Sequence, residues 1–168
     1  MSEVGLDAQA KLSNWNRFVR KNLLIHFIPN TVLNTVVPYF AFKTQNSVHL
    51  FSGEQNLARF LLPMSILLPF MVTFDILKKI KLLQHTEAIR YRHEQKISGY
   101  PFIFKKASLN GLYSIVVVFA LMLILYFSFP PNHDFGITPS AACAGLLAGL
   151  YSITFFYLAI RRFKADAV

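Results

Sequence analysis

The stretch IVVVFALMLIL, residues 115–125, is apolar at every position. A barrel strand alternates apolar with polar residues over about 10 positions, so this run reads as helix. Followed outward, it spans 111–129, close to the roughly 20 residues an α-helix needs to cross ~30 Å of hydrocarbon. Three further runs match it, at about 23–42, 61–80 and 137–160. Backbone in lipid must satisfy its own hydrogen bonds, so each run predicts a helix. The expected fold is an all-α integral membrane protein, one membrane domain built as a four-helix transmembrane bundle.

The charges sort between the connections. Of 17 lysines and arginines, only Lys43 and Arg59 fall on one side of the expected helices. The other side holds the basic residues of the N-terminal arm, of the connection between helices 2 and 3, and of the C-terminal tail. Such a bias places both termini and the basic stalk or loop at 81–110 in the cytoplasm. The net charge of +9 then reads as topology and contact with anionic lipid, not as nucleic-acid binding. Lys78, Lys79, Lys81, Arg90, Arg92, Lys105 and Lys106 are the candidates for binding lipid or a partner protein. The expected location is a membrane, specifically the bacterial cytoplasmic (inner) membrane.

Residues 1–22 start polar and do not resemble a cleavable signal. Ala8, Leu12, Trp15 and Val19 recur every three to four positions. This predicts either an amphipathic arm on the cytoplasmic interface, with Trp15 at headgroup depth, or an extension of helix 1. Ser98–Gly99–Tyr100–Pro101 marks a break before helix 3. The short connection FPPNHDFG, residues 129–136, predicts that helices 3 and 4 are antiparallel neighbours, with Thr138 capping helix 4 and Pro139 in its first position. The apolar residues from Val48 to Phe51 in the outer loop are expected to dip into the interface.

Helix 1 carries the most unusual pattern. Asn22, His26, Asn30 and Asn34 stand four apart, and one step of four drifts by about 40° around a helix, so they form a slanted ridge. Thr31 and Thr35 widen the ridge, and Pro29 and Pro38 interrupt hydrogen bonding around it. Amides in hydrocarbon must face protein or water. The ridge therefore either makes interhelical hydrogen bonds or lines a hydrated route. Asp75 is the only acidic residue within an apolar run. It either pairs locally with Lys78 and Lys79, or meets His26 or Asn22 from helix 1. A His–Asp pair binds a cation or relays a proton, because imidazole titrates near neutrality.

In helix 4, Ala141, Gly145 and Gly149 fall four apart, a spacing that lets another helix approach closely. Packing within the chain and contact between subunits both fit it. His49, Glu54, His133 and Asp134 lie on outer loops without metal-ligand spacing. The single cysteine, Cys143, excludes an intramolecular disulfide. Hydrolase, zinc-protease, nucleotide-loop and dinucleotide motifs are absent, so neither catalysis, a metal nor a cofactor is expected.

Two functional classes fit these features. The first is a small oligomeric channel or transporter for an ion or small polar solute, its route lined by His26, Asn30, Asn34 and Asp75. Four helices alone rarely enclose a wide aqueous route, so a homo-oligomer is expected, joined through the Ala141–Gly145–Gly149 face or the helix 1 ridge. The second is a non-catalytic accessory subunit that recruits a membrane or cytoplasmic partner through its basic loop.

Overall fold

The computed structural model describes residues 3–45, 47–85, 97–130, 132–161 and 163. Four helices carry the chain: α1 (Glu3–Lys43), α2 (Leu57–His85), α3 (Tyr100–Ser128) and α4 (Ile137–Ile160). All four contain a span long and apolar enough to cross a membrane.

α1, α2 and α3 run longer than the apolar runs alone suggest, while α4 has the bounds of its run. The N-terminal arm and helix 1 form one uninterrupted rod of 41 residues, about 60 Å at 1.5 Å per residue. Asn56 caps α2 in the usual way, its side-chain oxygen accepting from the Arg59 backbone N–H at 3.0 Å. α2 then continues to His85. At the break before α3, Gly99 takes a φ of 148° and Pro101 sits in the first turn. The stretch expected as a stalk at 81–110 is thus helical at both ends. Arg90 and Arg92 lie outside the described residues.

α4 packs against both α1 and α2, α3 packs against α2, and α1 touches α2 little. The expectation that α3 and α4 are antiparallel neighbours is therefore corrected: α3 packs on α2 instead. Small residues decide the partners. α3 turns Ala107, Gly111 and Ser114 inward, and a Cβ on Gly111 would lie 3.0 Å from the Ile66 carbonyl oxygen of α2. Asn110 reinforces this seam, donating to the buried Thr73 hydroxyl at 2.9 Å. The core runs along α2 through Val72, Ile76 and Ile80, joined by Val118 and Met122 of α3 and Phe156 of α4.

The helix ends group by charge. One end of the bundle holds Arg17, Lys21, Lys79, Lys81, Lys105 and Arg161, and is the basic end. Lys78 and Lys105 are exposed and Lys106 is half-buried there. Lys81 lies over the Tyr100 ring, 4.1 Å from its centroid, which joins the end of α2 to the start of α3. Trp15 is buried and stacks on Phe18, with ring centroids 5.5 Å apart.

At the opposite end the two connections are stapled together. Asp134 accepts from the Val48 and Gly136 backbone N–H groups at 2.8 and 2.9 Å. Phe135 donates its backbone N–H to the Val48 carbonyl at 2.9 Å. Val48 and Leu50 are buried in the protein core, while Phe51 is exposed. Gly136, with φ 71°, is the N-cap of α4. Thr138 therefore stands inside the helix and does not cap it. α4 carries no side-chain cap; Asp134 turns the chain ahead of it by accepting from the Gly136 N–H.

Candidate functional site

The ridge of helix 1 divides between two neighbours. Thr31 and Thr35 donate their hydroxyls to carbonyls one turn back, of Phe27 and Thr31, each at 2.8 Å. Their hydroxyls sit on the two glycines of α4. A Cβ on Gly145 would overlap the Thr35 hydroxyl, and one on Gly149 would lie 2.6 Å from the Thr31 hydroxyl. The threonines therefore pack on α4 and do not widen a route. Ala141, Gly145 and Gly149 are all buried, and the two glycines seat α1 of the same chain. With that seat filled within the chain, these glycines are not a free surface for a second copy.

The other side of the ridge faces α2. Because α1 and α2 are held apart by α4, a cleft of about 610 Å3 runs between them. His26, Asn30 and Asn34 line it from α1. Arg59, Pro63, Leu67, Met71 and Asp75 are among its lining from α2. Residues 59 and 75 are 16 positions apart, about 24 Å along a helix, so the cleft covers most of a hydrocarbon thickness. One wall carries an imidazole and two amides; the other is largely apolar. Arg59 stands at one end and Asp75 at the other.

The amides are oriented by bonds of their own. Asn30 donates to the Ser152 hydroxyl of α4 at 2.9 Å. Asn34 donates to the Asn30 carbonyl at 2.8 Å. Each amide oxygen remains available to the cleft, since these bonds use the nitrogen.

At the basic end the cleft closes on a four-residue network. His26 Nε2 lies 3.0 Å from Asp75 Oδ2. Lys79, one turn along α2, pairs with the same carboxylate oxygen and donates to Asn22 Oδ1 at 2.9 Å. Asn22 in turn donates to the Phe18 carbonyl at 2.9 Å. Both arrangements open to Asp75 thus occur together: the local pair with Lys79 and the cross-helix pair with His26. Lys78 is exposed and lies off this network. A half-buried carboxylate held between an imidazole and an ammonium stays compensated while remaining within reach of the cleft.

The chain matches no protein-family model, no curated protein and no solved structure. Its function is therefore inferred from geometry.

His49, His133 and Asp134 do meet at the opposite end, but as the staple. His49 Nδ1 lies 3.0 Å from the His133 carbonyl oxygen, and its Nε2 lies 3.0 Å from the Ser47 hydroxyl. Among the described residues no three His, Cys, Asp or Glu side chains group as metal ligands. The two backbone donors hold the exposed Asp134 carboxyl below its ordinary value.

Sequence reasoning missed two members of the site. Arg59 reads as a topological marker until α2 is placed against the ridge. Ser152 reads as an ordinary small residue of helix 4. Its signal is positional: it follows Gly149 by three residues and so continues the same small face.

Proposed function

We propose that the protein is a small channel or transporter of the bacterial cytoplasmic membrane, passing an ion or small polar solute along the α1–α2 cleft. The reading rests on one observation. His26, Asn30, Asn34 and Asp75, from two helices, line a single elongated cleft that also receives Arg59. In this reading the basic end lies in the cytoplasm, with both termini. Amide oxygens and prolyl breaks offer a partly dehydrated solute polar contacts along the span, and the His26–Asp75–Lys79 network forms the inner mouth. The cleft is lined by α1 and α2 alone, and polar lining facing hydrocarbon is unfavourable. A second copy laid over it completes the route, which accounts for the expected homo-oligomer now that Gly145 and Gly149 are occupied within the chain.

The deciding experiment is ion and small-solute flux in proteoliposomes, comparing wild type with Asn30→Leu/Asn34→Leu. Flux in wild type that is lost in a folded variant supports the route. Absence of flux in both overturns it.

One observation favours a second reading, an accessory subunit. α1 leaves an apolar flank bare: Leu33 is 58% and Phe40 61% exposed. A larger membrane protein docking there, with the basic end recruiting a cytoplasmic partner, predicts a stoichiometric co-purifying protein and no flux from the protein alone.

A further inference from the structure

A second recess, of about 470 Å3, opens at the basic end beside the Asn22–Lys79 contact. It contains three cations, Arg17 and Lys21 from α1 and Lys79 from α2, and two amides, Asn14 and Asn22. None of its lining residues is acidic. Its remaining walls, Phe18 and Ile25, are apolar and sit where the apolar run of α1 begins. The α1 members recur at short helical intervals from Asn14 to Arg17, Lys21 and Ile25, with Asn22 beside them, so they share one helix face.

The recess is built around a positioned ammonium. Asn22 is 6% exposed, and its amide nitrogen is committed to the Phe18 carbonyl. Its oxygen is thereby aimed at Lys79. An ammonium has three N–H donors. Among the described residues, Asn22 and Asp75 accept from Lys79, which leaves a third donor for the recess. Arg17 adds a planar fork suited to two oxygens of one phosphate, and Lys21 adds a flexible point charge. We propose that this recess binds a phosphate-bearing anion, seated by Arg17, Lys21 and Lys79. Its natural source at the edge of an apolar helix run is the headgroup of an acidic phospholipid, whose chains continue along Ile25. The site does not depend on the cleft being a transport route.

The test uses the full chain in a zwitterionic detergent. Short-chain phosphatidylglycerol, short-chain phosphatidylcholine and inorganic phosphate are titrated separately, with bound molecules counted by native mass spectrometry and saturation followed by thermal shift. Wild type is compared with Arg17→Gln/Lys21→Gln and with Lys43→Gln/Arg161→Gln, two exposed residues whose replacement removes equal charge outside the recess. Arg17 and Lys21 are exposed, and each single variant serves if the double one does not fold. The expected result is saturable binding of one phosphatidylglycerol, weakened at least tenfold in the recess variant and less than twofold in the control. Inert phosphate assigns the lipid as source; inorganic phosphate binding with the same residue dependence assigns a free anion. Equal loss in both variants, or wild-type binding of phosphatidylcholine as tight as phosphatidylglycerol, overturns the proposal.

Discussion

Asn30 on α1 donates to the Ser152 hydroxyl on α4, and Ser152 donates its own proton to the Ala148 carbonyl one turn back, each at 2.9 Å. This single link joins the polar ridge to the small-residue face of α4. It fixes the Asn30 nitrogen toward α4 and leaves the oxygen for the cleft. Interhelical hydrogen bonds of this kind average only about 0.6 kcal/mol. A double-mutant cycle on Asn30→Ala and Ser152→Ala, read by unfolding in detergent, should give a coupling of about 1 kcal/mol or less. A much larger coupling would mean that the amide anchors the fold.

The glycine seat should be far less forgiving. Gly145 has no room for a Cβ beside Thr35, and overpacking costs about 1–3 kcal/mol. Gly145→Ala should lower the unfolding midpoint clearly, and Gly145→Leu/Gly149→Leu should prevent normal folding. Leu146→Ala, on the exposed side of the same helix, should change little. Unaltered mass and thermal stability in the leucine double variant would show that α1 does not rest on these glycines.

The proposed inner mouth makes a prediction about pH. If the proposed route passes His26, its flux should change between about pH 5 and 8, where imidazole titrates. Flux through His26→Gln should lose that dependence while the protein still folds. Superimposable profiles for wild type and variant would remove any proton-relay role for the His26–Asp75 pair.

The staple at the opposite end predicts an acid limb of stability. Asp134 has its carboxyl held below the ordinary value of 3.8 by the Val48 and Gly136 N–H groups, with His49 and His133 adding smaller contributions. A carboxyl depressed in the folded state contributes stability above its unfolded pKa, and loses it as pH falls through the lower folded value. Thermal midpoints measured from about pH 7 down to about pH 2 should therefore fall less steeply in Asp134→Asn than in wild type. Parallel acid limbs would show that the two backbone bonds do not matter to stability.

The four helices, the SGYP break before α3 and the basic end were legible because each depends on local composition. A run of apolar residues near the length of a bilayer crossing needs no knowledge of its neighbours to become a helix. The four-residue spacing of Asn22, His26, Asn30 and Asn34 likewise placed them on one ridge, and the small-residue spacing marked Ala141, Gly145 and Gly149 as a packing face. Helix ends were less legible. Asn56 and Gly99 start α2 and α3 ahead of their apolar runs, through capping and turn geometry that hydropathy does not register.

What the sequence by itself determined is therefore the set of helices and which residues share a face, since both depend on the period and length of one chain segment. What only the tertiary structure decided is which face meets which helix. α4 lies between α1 and α2 because its glycines fit the Thr31 and Thr35 hydroxyls, while α3 goes to α2 because Gly111 fits against Ile66. Four apolar helices in lipid gain little from hiding apolar surface from one another, so close fit and a few hydrogen bonds choose among the pairings. Those choices opened the α1–α2 cleft, turned the threonines away from it, and brought His26 and Lys79 to the same carboxylate of Asp75.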